Sequence, residues 1–327
     1  MPTTSTQKIL TPSEAAALAA NLSKLSLAEK VEALELLEKA QEHKARNLAR
    51  TDMIEFAKHV YPGFKVGAHH RKLAKIFTDV IEGRKNRVII NIAPRMGKSE
   101  FSSYLFPAFF LGNYPEKKII MGTHTAGLSE DFGRRVRNLI DGEEYHELFP
   151  QTLVADDQKA AGKWSTSAGG QYYAAGVGGA LAGRGADLFV IDDPHSVEGA
   201  ASEAMRATTT EWFLEAVPTR LNSPENSAIV VIMQRLNEGD VSGVVLELGL
   251  PYVHLCVPMR YVWDGDEEGN PVPTEIDAKD PLSGAAADLE SNAPLGPDPA
   301  SLNVTTASPL VDHDDEDEDE DEDNGPQ

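Results

Sequence analysis

Two short stretches of the chain carry side chains suited to phosphate chemistry. Pro94, Arg95, Met96, Gly97, Lys98, Ser99 and Glu100 follow directly on an apolar run, and Asp192-Asp193 close another. Gly97 has no Cβ, so backbone amides can approach an anion closely. A helix opening at Lys98 would turn its first N–H groups, and the positive end of its dipole, toward the same anion. Lys98 supplies a point charge for the β- and γ-phosphates of ATP, and the Ser99 hydroxyl a ligand for Mg²⁺. Without nucleotide, Lys98 is expected to be solvated. Of the paired carboxylates, Asp192 would hold Mg²⁺ directly or through water, and Asp193 would orient and deprotonate an attacking water. The usual phosphate-loop pattern G-x-x-x-x-G-K-[ST] has its first glycine where this chain has Ile92.

Both stretches need a buried strand before them, and both have one. Val88, Ile89, Ile90 and Ile92 are β-branched and nearly uninterrupted, which suits a central strand of a parallel sheet covered on both faces. Pro94 ends that run, having no N–H to give a ladder. Leu188–Ile191 leads into the acid pair, Lys118–Gly122 ends in Thr123-His124-Thr125, and Ala228–Met233 ends in Gln234-Arg235. Gln234, at the carboxyl end of its strand, is placed either to sense a γ-phosphate or to cap a turn. A last strand is read over 252–257, and helices over 98–111, 203–217, 241–248 and in the arginine-rich stretch that holds Arg134, Arg135 and Arg137. This alternation predicts an α/β fold with a mainly parallel sheet flanked by helices. The glycine-rich region 160–186 reads as a hairpin or a mobile loop that a partner could approach closely.

Upstream, Thr11 and Ser26 open two helices, about 12–24 and 27–49, the second a capping box. The second is amphipathic and ends in Lys44, Arg46 and Arg50, so residues 1–50 form a helical arm for packing, oligomer contact or DNA contact. A helix pair follows over 52–83, turning at Tyr61–Phe64. Phe64, His69, His70 and Arg71 are candidates either for holding a nucleobase or for capping a surface helix.

Charge separates the ends of the chain. Residues 264–327 hold 21 of the 52 acidic residues against a single base, Lys279, which accounts for −20 of the net −22. A segment so charged and so poor in apolar residues is expected to be disordered, whereas 51–263 form the ordered domain. The near-neutral remainder is compatible with a nucleic-acid partner. Cys256 is the single cysteine, in an apolar run that suggests a buried thiol, and disulfides are excluded. With no stretch long enough to span a bilayer and no signal-peptide core, the chain reads as soluble and intracellular.

With IAPRMGKSE, KIIMGTHTAGLSEDFGRRVRNLI, GRGADLFVIDDPH and IVVIMQRLNEGDVSG in this order, residues 50–260 resemble the ATPase domain of the large terminase subunit of tailed bacteriophages. The resemblance implies a RecA-like P-loop ATPase whose loop lacks the first glycine and carries an arginine before Gly-Lys. Arg95 would then stabilise γ-phosphate charge in cis, and Val231–Arg235 would link hydrolysis to DNA movement. It further implies double-stranded DNA, a portal protein and a small terminase subunit as partners, a homo-oligomeric ring, and action in the host cell cytoplasm. The second, nuclease domain of such proteins has no counterpart here, so ATPase activity is implied and endonuclease activity is not. A helicase or remodeller, which needs a second RecA-like lobe, and a non-catalytic nucleotide-binding assembly protein are the competing readings.

Overall fold

The computed structural model describes residues 10–258; the expected tail at 264–327 lies outside them. Helices α1 (Pro12–Asn21) and α2 (Leu27–Ala49) begin as the capping signals require. Thr11 and Ser26 accept the N–H of Glu14 and Glu29, and each glutamate accepts the N–H of its cap at 2.9 Å. Such caps contribute roughly 1 kcal/mol each. Only Ala33 and Ala49 of α2 are buried, and Leu27, Val31 and Leu34 are exposed. The arm is fastened at its far end, where Arg50 Nε donates to the Leu148 carbonyl at 2.7 Å.

Helices α3 (Met53–Val60) and α4 (Ala68–Ile81) lead into β1 (Arg87–Ile92), and Lys98 opens the following helix as read from the sequence. That helix widens into a π-helical turn over Glu100–Leu105 before α5 (Phe106–Asn113). After β2 (Lys118–Thr123) come α6 (Ala126–Ile140) and α7 (Glu143–Leu148). Three strands then follow in succession, β3 (Val154–Ala160), β4 (Lys163–Thr166) and β5 (Gln171–Gly176). The remainder is β6 (Leu188–Asp192), α8 (Val197–Ala201), α9 (Glu203–Glu211) with a π-helical turn at Trp212–Ala216, β7 (Ala228–Met233), α10 (Val241–Glu247) and β8 (Val253–Val257).

These strands form one eight-stranded sheet in the order β3-β4-β5-β2-β6-β7-β1-β8. From β5 to β8 every neighbouring pair is parallel, and β3 and β4 add an antiparallel edge. The residues of each strand alternate between two apolar layers. Val88, Ile90, Val190 and Ile232 pack against α3, α4 and α5, while Ile89, Ile191 and Val231 pack with Trp212, Phe213 and Val241 on the other face. Each such side chain contributes about 1.5–3 kcal/mol on full burial, which is why these central strands read as continuous apolar runs. No helix of the described residues is long and apolar enough to cross a membrane.

One expectation is met and one, for Cys256, is corrected. Region 160–186 contains the hairpin read there: Gly169-Gly170 turn β4 into the antiparallel β5, and β5 also enters the parallel run beside β2. Its Trp164 and Tyr172 stack at 5.0 Å with 7° between planes and are fully buried, so they form core and present no face to a partner. Cys256 is exposed, because β8 is an edge strand whose residues do not all face an apolar layer.

Candidate active site

Parallel strands deliver their carboxyl ends to one edge of the sheet, and the candidate residues gather there. The chain leaves β1 at Ile92 and turns through Pro94–Gly97 with Arg95 at φ +63° and Gly97 at φ +70°. The second value explains the glycine, since L side chains rarely adopt it. A Cβ at Gly97 would also meet His70 Nε2 at 3.3 Å. Two strands away, β6 ends in Asp192, followed by Asp193 at φ +41°.

Lys98 joins the two stretches. Its ammonium lies 3.1 Å from Asp192 Oδ1, pairs with Asp193 Oδ2, and stands 3.4 Å from Ser99 Oγ. It is only 6% exposed, so the solvated lysine expected from the sequence is not found. The reason is charge: two carboxylates brought together at a strand end need a counter-ion, and Lys98 is the cation within reach. Burial pulls the Lys98 pKa down, but the two acids outweigh it and the net displacement is upward. For Asp193, burial pushes the carboxyl pKa up and Lys98 opposes it, with Asp192 adding to the rise, for a net increase. A carboxylate displaced in that direction is a better proton acceptor.

Neighbouring elements fix both acids. Ser103, wholly buried, donates to Asp192 Oδ2 at 2.7 Å, and Ser102 donates to the Lys98 carbonyl. The π-helical turn is what carries these adjacent serines, a widening that recurs at functional sites. Asp193 Oδ1 accepts the Gln234 N–H at 3.1 Å, its N–H donates to Ile232 O at 2.9 Å, and its carbonyl accepts the His124 N–H at 3.3 Å. Gln234 thus touches the acid through its backbone. His124 and Ser103 were not singled out from the sequence; the Thr-His-Thr strand end was the signal for the first, and nothing in the pattern marked the second.

Beside the loop opens a cleft of about 410 Å³ bounded by Tyr61, Phe64, Lys65, His69, His70, Arg95, Met96, Gly97 and Glu100. Arg95 is exposed there. His70 is buried, packed between Phe64 and Phe101 at 4.9 and 5.2 Å, with Nδ1 accepting the Gly67 N–H at 3.0 Å. Burial, with His69 adding, lowers its pKa to about 4. His69 Nε2 lies 2.9 Å from the Met96 carbonyl. Arg71 does not join the group, since it lines a separate depression with Asp52, Glu55 and Asp79. Glu100 receives Arg135 Nη2 on both oxygens, at 2.5 and 2.6 Å, and Arg135 lies 4.3 Å over the Tyr104 ring. Arg134 is paired with Asp131 at 2.6 Å, so part of the arginine-rich stretch is internally neutralised.

Among the described residues no three His, Cys, Asp or Glu side chains cluster tightly enough to hold a metal on their own. Magnesium bound together with a nucleotide does not require that, because it takes one or two carboxylates and completes its shell with phosphate oxygens and waters. Asp192 and Ser99 are of the right donor type, and the acid pair already accommodates a cationic group. No protein-family model matches the chain and no curated protein matches it either, so what the site can do is carried by the arrangement of Lys98, Asp192 and Asp193.

Proposed function

We propose that this chain is a RecA-like P-loop ATPase, the motor subunit of a viral DNA-packaging terminase that moves double-stranded DNA into a procapsid in the host cytoplasm. The observation that carries the reading is the buried Lys98 ammonium between Asp192 and Asp193, which joins a glycine turn at the end of β1 to an acid pair at the end of β6. The intervening strand β7 supports it too, since its end reaches Asp193 through Gln234.

In this reading ATP is the substrate, and Ser99 and Asp192 would hold Mg²⁺, which would supply charge neutralisation to the phosphates. Lys98 exchanges the acid pair for phosphate oxygens, and Pro94, Met96, Gly97 and Glu100 frame the loop that receives them. Asp193, released from the ammonium, accepts the proton of the attacking water. Arg95 offers its guanidinium to charge that grows on the γ-phosphate during transfer. The aromatic cleft beside His70 receives the base. By the same resemblance the chain assembles as a ring with a portal protein and a small terminase subunit.

Phosphate release from ATP by the purified chain, with and without double-stranded DNA, tests the proposal. Magnesium-dependent turnover that DNA stimulates without strand separation is expected. Unwinding would favour a helicase, and absence of turnover would leave a nucleotide-binding assembly protein.

A further inference from the structure

The segment between β7 and α10 is tied at both ends to one short turn. At its start, the Gln234 N–H donates to Asp193 Oδ1 at 3.1 Å. At its end, the Val241 N–H donates to His195 Nε2, also at 3.1 Å. Between them Asp240, wholly buried, accepts the N–H groups of Leu236 at 3.1 Å, Asn237 at 3.4 Å and Gly243 at 2.9 Å. Arg235 Nε reaches the same carboxylate at 3.2 Å. The segment is therefore closed on itself, with Arg235 and Glu238 on its exposed side.

His195 is an odd choice for a merely structural position. It is 4% exposed, and because Nε2 accepts a hydrogen bond the neutral ring carries its proton on Nδ1, which has no partner among the described residues. A buried donor left unpaired is disfavoured relative to an apolar side chain of similar shape, so packing alone does not account for it. Pro194 stands between Asp193 and His195 and has a fixed φ, so a shift of Asp193 is passed on through a stiff link. Asp193 is also where two arrangements are available: its carboxylate meets Lys98 here and would be released when that lysine turns to phosphate.

We infer that His195 is a positioning residue that couples the Asp192–Asp193 pair to the 234–240 segment, so that nucleotide loading at Lys98 is delivered to the surface bearing Arg235 and Glu238. This rests on the nucleotide-binding reading above. Two hydrogen bonds, one at each end of the segment, make the coupling a matter of geometry, and His195 is the member that touches neither phosphate nor metal ligand.

Amide hydrogen exchange on the full chain tests it, with Mg²⁺ and a slowly hydrolysed ATP analogue as the probe. In the unaltered protein nucleotide should change exchange both at Gly97–Ser103 and at the amides of Leu236, Asn237 and Val241, the latter by roughly two- to thirtyfold. His195→Gln, which offers an acceptor near the Nε2 position, should keep both responses. His195→Leu should keep the first and lose the second, with turnover falling while nucleotide affinity is held. Where the leucine variant does not fold, His195→Asn, too short to reach Val241, serves in its place. An unchanged response at Leu236, Asn237 and Val241 in the leucine or asparagine variant would overturn the coupling alone. No response at Gly97–Ser103 in the unaltered protein would remove the nucleotide reading and this inference together.

Discussion

Arg95 and Asp193 are the two non-glycine residues of the described chain held in the left-handed region, at φ +63° and +41°. They belong to different strand ends, yet they are the two residues to which the sequence assigned the chemical step. Such a conformation costs on the order of 1–3 kcal/mol and persists where the surroundings over-determine it, typically at functional sites. The strain aims one guanidinium and one carboxylate from backbone positions that glycine would occupy more easily.

Replacing Arg95 by glycine should therefore stabilise the fold and disable it. The expected gain is about 1 kcal/mol from relief of the left-handed strain, read as a rise in Tm. Turnover should fall far more than nucleotide affinity, because an arginine that meets transition-state charge acts on the chemical step. A variant losing affinity alone would make Arg95 a ground-state phosphate contact.

For Asp193→Asn, turnover should drop by roughly 10² or more, as when a positioned base is lost. The structure adds a second effect: with one carboxylate neutralised, Lys98 is held less firmly and is freer to meet phosphate. Nucleotide binding measured without Mg²⁺ should tighten, whereas Asp192→Asn should chiefly weaken the Mg²⁺ dependence. Identical behaviour of the two variants would contradict separate roles.

Lys98→Ala should abolish hydrolysis, and the buried pairing implies that it also harms the fold. Removing one partner of a buried ion pair costs about 3–5 kcal/mol, here tempered by the partial exposure of Asp193, whose side chain is 24% exposed. Burial already holds the Asp193 carboxyl above its ordinary value against the pull of Lys98, so without the lysine its folded-state pKa would rise further above the unfolded one. Stability is then fullest below the unfolded carboxylate pKa and is lost as pH rises through the folded value. Thermal melts of the variant should show a higher Tm near pH 4 than near pH 7, relative to the unaltered chain; a flat difference would mean that Lys98 is dispensable to the acids.

His70 sets an opposite pH trend. Its folded pKa, about 4, lies below the ordinary 6.5, so between those values the unfolded chain binds more protons and folding weakens as pH falls. Stability contributed by the neutral ring is complete above about 6.5 and lost toward 4. His70→Phe should flatten this part of the Tm profile. Equal slopes in both proteins would show that the ring does not stay neutral between Phe64 and Phe101.

Much of this fold was legible because buried parallel strands are written without interruption. Val88–Ile92, Leu188–Ile191 and Ala228–Met233 have apolar neighbours on both faces, and composition alone marks them. The hairpin of β4 and β5 was legible from its glycines, but β3 and the place of the hairpin in the sheet were not: Lys163–Thr166 and Gln171–Gly176 mix polar, aromatic and small residues, and their position is decided by pairing with β2, which no local pattern contains. The site divides in the same way. Gly97, Lys98, Asp192 and Asp193 announce themselves by type and spacing, but the burial of Lys98 arises from a pairing between distant strand ends. Ser103 is unmarked because a serine one turn into an apolar helix looks the same whether or not a carboxylate lies across from it.

The position of β1 in the sheet bears on how the protein is made. Its two neighbours, β7 and β8, are the last two strands of the described chain, joined to it at Arg87↔Ile229 and Val88↔Val253. During synthesis β1 must therefore wait with both of its hydrogen-bonding edges open until β7 is made, and with one edge open until β8 follows. Such long-range closure is slow and leaves intermediates prone to association. A nascent chain stalled before residue 228 would present a sticky, incomplete half-sheet, and a chaperone that masks this edge would act on the strand that leads into Lys98.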